Sequence, residues 1–320
     1  LRLYTYLQWT PVLASEEEET LVGGQAVMEG VMMRSPHSYC VAVRKPNGEI
    51  ITEEKLLAKM SEKYPVFRWP VFRGVGTLAQ ALSVGMKALR FSANAAMEEI
   101  KHDAAKKEMP SWLLALNIGF ALVFFIFMYK FVPLYLATVM GKLFPALDSR
   151  IPFNLVDGVI RMALFIGFLY VTSLWKDMRR IFEYHGAEHR VVFNFESGKT
   201  VTVENAQTFS TFHPRCGTSF LLVVMVVAIG VYTLIPFDSF LMKFVGRLVL
   251  LPVVAGVSYE LIRYAAKHRG GLLAALTAPG LWLQRITTKP PAPDQTAVAI
   301  AALERALALE EAQGGKPVLA

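Results

Sequence analysis

The run Phe220-Leu-Leu-Val-Val-Met-Val-Val-Ala-Ile-Gly-Val-Tyr-Thr-Leu-Ile235 carries no Asp, Glu, Lys or Arg. With its flanks it extends over roughly 217–235, close to the length of about 20 residues that a helix needs to cross a bilayer. Three more apolar runs accompany it, at roughly 111–139, 154–175 and 239–262. The chain is 54% hydrophobic and only 18% charged, an apolar excess that points to a polytopic membrane protein rather than a large soluble domain. The expected fold is therefore mainly α: about four transmembrane helices over 110–265, joined to a small N-terminal cytoplasmic module containing a β-hairpin.

Basic residues set the expected orientation. Lys101, Lys106 and Lys107 precede the first run; Lys176, Arg179, Arg180, Arg190, Lys199 and Arg215 lie between the second and third; Arg263, Lys267 and Arg269 follow the fourth. The connection between the first two runs holds only Lys142 and Arg150. This places both termini and the loop 176–216 in the cytoplasm, in a multi-pass membrane protein. The net charge of +7 suits anionic lipid headgroups, and with no basic-aromatic recognition motif no nucleic-acid partner is expected. Cys40 and Cys216 are the only cysteines, far apart, which fits a reducing compartment without a disulfide framework.

Three of the six histidines and one of the cysteines fall inside the expected cytoplasmic loop. His185-Gly-Ala-Glu188-His189 opens the cluster and His213-Pro-Arg-Cys216 closes it. On a helix, His185 and His189 share a face with Glu188 one step round. H-x-x-E-H is the order of the inverted zinc-hydrolase helix, in which two imidazoles hold zinc and the Glu acts on a water. His213 and Cys216 are the candidates for the remaining ligands. Four protein ligands would make a closed, structural site, whereas three would leave a position for a water. The inverted zinc hydrolases usually take a distant acidic third ligand, so this set departs from that pattern. Gly186 weakens the helix, and an ordinary loop with exposed histidines is the simpler alternative.

The rest of the chain reads as follows. Residues 1–20 form an expected disordered acidic tail with Glu16 to Glu19, and no secretory signal peptide is evident there. The small cytoplasmic module occupies 21–65. In it Val22-Gly-Gly-Gln-Ala-Val-Met-Glu-Gly-Val-Met-Met-Arg34 reads as a buried strand or turn in which Glu29 and Arg34 are neutralised by an ion pair, or as a substrate loop over the metal site. Tyr39, Val41 and Val43 alternate, Pro46-Asn47-Gly48 turns, and Glu49-Ile-Ile-Thr resumes, which is a hairpin over 38–54 with Cys40 as a small buried side chain. Residues 66–109 are expected to form an interfacial amphipathic region, with Leu78, Leu82, Met86 and Leu89 on one side and Gly74, Gly76, Ala79, Ala81 and Gly85 available for close packing. Residues 270–288, interrupted at Pro279-Gly280, read as interfacial or re-entrant. Residues 289–320 read as a proline linker and a C-terminal amphipathic helix capped by Asp294, with Val298, Ala302, Leu303, Ala306, Leu307 and Leu309 on its apolar side.

Charges inside the apolar runs need partners. Asp157 and Arg161, four apart, read as a neutralising pair near the outer interface, and Lys243 and Arg247 as side chains that snorkel outward. Glu260 reads as an ion pair with Arg263 or, alternatively, as an extra ligand or orienting group at the metal site.

Five ordered motifs, Gly23 to Arg34, Glu183 to His189, His213 to Ser219, Ser258 to Arg263 and Pro279 to Thr288, together resemble the YqhQ family of bacterial polytopic membrane proteins of unknown function. The resemblance covers about residues 21–313. It implies membership, and with it the family's description as predicted metal-dependent enzymes, a description that rests on the same histidines.

Two functions follow as expectations. The first is a zinc-dependent (or other divalent-metal) membrane hydrolase at the cytoplasmic face. In it His185 and His189 would be ligands with His213 or Cys216, Glu188 would be the general base, and Arg190 or Arg215 would stabilise an oxyanion or hold an anionic substrate. A lipid headgroup or a membrane-protein segment would be the substrate. The second is a non-catalytic assembly or scaffold protein with a closed structural site on the same four ligands.

Overall fold

The computed structural model describes residues 22–58, 60–96, 111–267 and 271–313. The expected acidic tail over 1–20 and the basic residues Lys101, Lys106, Lys107 and Arg269 lie outside the described residues. The fold is mainly helical with one small sheet.

Strands β1 (Gly23–Val27), β2 (Gly30–Arg34), β3 (Ser38–Arg44) and β4 (Ile50–Leu56) form an antiparallel meander in the order β1-β2-β3-β4. The expected hairpin is β3–β4, with Ser38 opposite Leu56 and Arg44 opposite Ile50. Gly48 takes φ +87 in its turn, a conformation that glycine adopts without strain. The stretch read as a strand or turn is a second hairpin, with Gly23 opposite Arg34 and Val27 opposite Gly30.

Strand alternation splits the central residues into two sets, and both are buried. Val31, Met33, Cys40 and Ala42 pack against helix α5 (Lys176–Glu196) and helix α11 (Pro293–Ala312). Met32, Tyr39, Val41 and Val43 pack against Val84, Ala88 and Ala95 of helix α1 (Phe72–Ala96). The sheet is thus the middle layer of a helix–sheet–helix sandwich, which is why β2 and β3 are apolar almost throughout. Burial pushes the Cys40 thiol up to about 12, the behaviour of an inert packing residue.

Helix α1 buries its small-residue side: Gly74, Gly76, Val84, Gly85, Ala88, Ser92 and Ala95. Leu82, Met86 and Leu89 are exposed. At one end α1 crosses helix α9 (Leu251–Lys267) through glycines: a Cβ at Gly74 would lie 2.7 Å from the Tyr259 Cβ, and one at Gly256 would lie 2.4 Å from the Val71 carbonyl oxygen.

The apolar part begins with helix α2 (Ser111–Ile126), a π turn over Phe127–Phe131, and helix α3 (Val132–Leu143). Pro133 explains the π turn. It has no N–H to return to the carbonyl four residues back, and Val132 N–H bonds to Phe127 O instead. Helix α4 (Arg150–Ser173) follows. A short helix, α6 (Val203–Gln207), precedes α7 (Gly217–Thr233), then α8 (Phe240–Val249), α9 and α10 (Gly271–Thr287).

Among the described residues, Gly119–Leu143 and Arg150–Ser173 are long and apolar enough to cross a membrane, and α8 with α9 makes a third if that pair, bent by 50°, counts as one span. The sequence pattern leads to four. The difference lies in α7, whose 17 residues reach about 26 Å against a hydrocarbon core of about 30 Å. It also lies in the break between α8 and α9, which a hydropathy window reads straight through.

Several local expectations change. The C-terminal helix has Ala292 rather than Asp294 at its N-cap: the Gln295 side chain accepts from Ala292 N at 2.9 Å. Arg247 does not snorkel outward; it is fully buried and paired with Asp157, which also holds Arg161 as expected. Lys243 lies over the Phe153 ring at 4.2 Å.

Candidate functional site

The stretch expected as a cytoplasmic loop contains the long helix α5, and that helix carries the site. Its residues Tyr184, Ala187, Val191 and Val192 are anchored in the core beneath the sheet, which fixes the rotation of the helix. His185, Glu188 and His189 consequently face a cavity of about 290 Å³. The opposite walls come from Gly23, Gly24 and Gln25 of β1, Arg34 of β2, and His213, Arg215 and Cys216 ahead of α7.

Gly186 is tolerated in mid-helix for a reason of space. A Cβ there would sit 2.0 Å from the carbonyl oxygen of Lys289, so the chain leaving α10 can pass directly over α5. Lys289 N donates to Phe182 O at 2.9 Å in that crossing. The same chain positions Thr287, whose carbonyl oxygen lies 2.8 Å from His185 Nδ1. His189 Nδ1 lies 2.5 Å from the carbonyl oxygen of Thr211. Both imidazoles thereby use Nδ1 as the donor and leave Nε2 as the lone-pair nitrogen.

One donor atom from each of His185, His189 and Cys216 falls within 4.8 Å of the others. Cys216 Sγ is 3.3 Å from His185 Nε2. Tetrahedral zinc with N and S ligands at about 2.0–2.3 Å sets ligand–ligand separations of roughly 3.3–3.8 Å; the Cys216–His185 pair lies in that range, and the 4.8 Å bound on the trio is wider than it. Two imidazoles anchored through Nδ1 to backbone carbonyls are the outer-shell arrangement common at zinc sites. Burial pushes His189 down to about 4, with His185 adding to the effect, which keeps the ring neutral as metal binding requires.

Glu188 stands beside this trio, its Oε2 3.4 Å from His189 Nε2. Burial raises its pKa, against which His185, His213 and a hydrogen bond from the Gly24 backbone N–H act in the other direction. A Cβ on Gly24 would lie 2.6 Å from Glu188 Cγ, so β1 approaches the carboxyl because it has no side chain there.

His213 is near but differently engaged. Its ring centroid is 5.6 Å from that of His189, yet its Nε2 faces Glu196 Oε2 at 3.4 Å and its Nδ1 accepts from Arg215 N at 3.3 Å. Burial pushes it down to about 4. Its backbone is clamped by Gln284 of α10: His213 N donates to Gln284 Oε1, and Gln284 Nε2 donates to His213 O, both at 2.7 Å.

The remaining sequence candidates divide. Arg34 and Arg215 line the cavity; Arg34 reaches Gln80 Oε1 at 3.5 Å, and Arg215 pairs with Glu196. Glu29 does not pair with Arg34: it takes φ +52 in the β1–β2 turn and holds Arg180, whose Nη2 donates to Glu29 Oε2 at 2.6 Å. Arg190 donates to Gln207, away from the cavity wall. Glu260 neither lines the cavity nor pairs with Arg263; Arg73 of α1 holds it, Nε donating to Oε1 at 2.5 Å. Sequence reasoning did not single out Gln284, Thr211 or Thr287 as parts of the site, whereas Gly24 belongs to the stretch read alternatively as a loop over it. Gln284, Thr287 and Gly24 stand inside two of the recognised motifs, Pro279 to Thr288 and Gly23 to Arg34, but the contacts that give them their roles are remote in sequence.

Residues 69–309 match the family described as "Protein of unknown function (DUF1385)". The chain is 35% identical over 298 residues to the "Uncharacterized protein YqhQ" of Bacillus subtilis (strain 168), a match covering 90% of this chain and 92% of that protein. No solved structure matches it. The extent of both matches shows that the chain belongs to the YqhQ (DUF1385) family.

Proposed function

We propose that the protein is a metal-dependent hydrolase, of zinc type, working at the cytoplasmic face of the bacterial inner membrane. The observation that carries this reading is the convergence of His185, His189 and Cys216 on one cavity with Glu188 beside them. In this reading His185 Nε2, His189 Nε2 and Cys216 Sγ hold the ion. A zinc ion so held would supply Lewis acidity and a bound water with a pKa of about 7. Glu188 accepts the proton of the attacking water and returns it to the leaving group. The Thr211 and Thr287 carbonyls fix the tautomer and orientation of the imidazoles. Arg34 and Arg215, on the cavity wall, attract an anionic group.

The pairing of His213 with Glu196 supports three protein ligands over a closed set of four, and so favours catalysis over a purely structural scaffold. The exposed Leu82, Met86 and Leu89 of α1 suit contact with the headgroup region of the bilayer. The basic residues around α5 suit a multi-pass arrangement with cytoplasmic termini. A lipid headgroup or a membrane-protein segment is then the substrate within reach.

The test has two readouts on detergent-purified protein. Elemental analysis is expected to give about one zinc per chain. Reconstituted into liposomes of bacterial lipid extract, the zinc-loaded protein is expected to release a hydrolysis product visible by mass spectrometry, and Glu188→Gln to release none while keeping its metal. Protein without metal after zinc loading would sink the proposal.

A further inference from the structure

A second cavity, of about 260 Å³, lies among the apolar helices and is walled by α4, α7, α9 and the α2–π-turn segment. Its rim is Phe125, Phe168 and Leu221, all partly exposed on the apolar outer surface. Its deeper wall holds Ala228 and Val254, both buried, and two cations, Lys130 and Arg161. Both cations sit near the middle of helices long enough to span a membrane, where an ionisable side chain is costly and marks a functional site by default.

The charges do not balance locally. Arg161, Arg247 and Lys130 surround the Tyr232 ring at 5.2, 5.1 and 5.1 Å. Asp157 is the one carboxylate among the described residues that pairs with any of them, and both arginines share it. Arg247 has a further acceptor in Asn154 Oδ1 at 2.8 Å. Lys130 donates to Tyr232 OH at 2.8 Å, and that hydroxyl donates in turn to Arg247 O at 3.3 Å. Arg161 is left incomplete. Its side chain is 4% exposed, yet Nε and Nη1 have no hydrogen-bond partner among the described residues. A guanidinium donates five N–H groups, and leaving two of its nitrogens dry and unpaired is unfavourable unless a ligand completes them.

We propose that this cavity binds an anionic amphiphile, a molecule with one acid group on a hydrocarbon chain. The acid group accepts from Arg161 Nε and Nη1 and from Lys130, and the chain leaves between Phe125, Phe168 and Leu221 toward the lipid. Planar guanidinium matches a carboxylate or phosphate oxygen pair, and the aromatic and aliphatic walls exclude a free hydrated anion. The shared chemistry is an acid head on an apolar tail, from a fatty acid or from a lipid phosphate monoester. This site is separate from the His–Cys cavity, and no lining residue is common to the two.

The test uses the full chain in nanodiscs of neutral phosphatidylcholine. Equilibrium binding of radiolabelled oleate, oleyl phosphate and oleyl alcohol is measured for the wild type, Lys130→Met, Arg161→Gln, and the cavity-filling Met225→Trp and Leu221→Trp. The wild type is expected to take up about one oleate or oleyl phosphate per chain, and whichever binds more tightly identifies the head group. The alcohol is expected to bind roughly tenfold or more weakly, as is the acid in Lys130→Met and Arg161→Gln. Arg161→Gln also strips Asp157 of a partner, so Met225→Trp and Leu221→Trp serve as the variants that leave every charge in place. Equal binding of alcohol and acid, undiminished acid binding in both tryptophan variants, or no saturable binding of either acid would overturn the proposal.

Discussion

Gly186 and Lys289 are in direct backbone contact: a Cβ at position 186 would lie 2.0 Å from the Lys289 carbonyl oxygen. The obstacle is main chain, so it cannot swing aside as a side-chain tip would. Gly186→Ala is therefore expected to push residues 287–289 off α5, at a cost of about 1–3 kcal/mol and despite the better helix propensity of alanine. The Thr287 carbonyl that orients His185 moves with them, so metal retention falls too. Gly230→Ala is the control: a Cβ there meets nothing within 4 Å, and no loss of stability is expected. Thermal unfolding in detergent compares the two.

At the proposed zinc site, metal content separates the proposed ligands from their neighbours. His185→Ala, His189→Ala and Cys216→Ala are each expected to lose the ion. His213→Ala is expected to keep it, because His213 Nε2 is turned toward Glu196. Loss in His213→Ala, measured by elemental analysis beside the other three, would instead favour the closed four-ligand site.

The cluster was legible in sequence because its first three members sit on one helix turn, where spacing alone dictates a shared face. Cys216 and His213 were legible only as nearby donors; which of them turns inward depends on Gln284, 71 residues away from His213. The same limit explains the misread charges. Helical spacing offers Arg263 to Glu260, yet Arg73 takes it from another helix, 187 residues away. In sequence Arg247 reads as a side chain snorkelling outward from the fourth apolar run, and its burial follows from Asp157 lying 90 residues earlier. Strand alternation did reveal β3–β4. It could not reveal that both faces of the sheet are covered, since α5 and α1 read as a loop and an interfacial helix.

Gln284 offers a perturbation that touches no ligand. Gln284→Leu keeps the approximate volume but leaves the His213 N–H and C=O without their partner, each loss costing about 1–3 kcal/mol. The His213–Cys216 segment then loosens, and metal affinity is expected to fall by about 10–100-fold, the usual effect of losing an outer-shell contact. Competition with a chelator reads the affinity, and Gln284→Glu, which keeps an acceptor for His213 N, is expected to fall between the two.

Glu310 couples the C-terminal helix to the sheet and gives the fold an acid limit. Burial works to raise its pKa, but hydrogen bonds from Ser35 Oγ at 2.7 Å and from His37 N at 2.9 Å outweigh it and hold the carboxyl below the usual carboxylate range. A depressed folded value stabilises the protein above the unfolded pKa of about 4.3, and that stability is lost as pH falls through the folded value. Unfolding of the wild type is therefore expected to grow easier below about pH 4.5 through this group. Glu310→Gln should remove that part of the acid dependence and cost about 1–3 kcal/mol at pH 7. Stability measured against pH for the two proteins checks the sign.

Asp157 is the most exposed point of weakness in the apolar half, since two buried arginines depend on one carboxylate. Asp157→Asn keeps the shape and part of the hydrogen bonding but removes the charge that neutralises Arg161 and Arg247. Breaking a buried pair from one side leaves an uncompensated cation and typically costs about 3–5 kcal/mol. Asn154 remains as a partner for Arg247 but brings no charge, so it does not restore the balance. Adding Arg161→Met to Asp157→Asn removes one stranded cation, and the double variant is expected to recover more than half of the loss. Denaturant titration of the wild type, both single variants and the double variant forms the cycle that reads this coupling. Simple additivity of the two single losses would show that the carboxylate acts through packing alone.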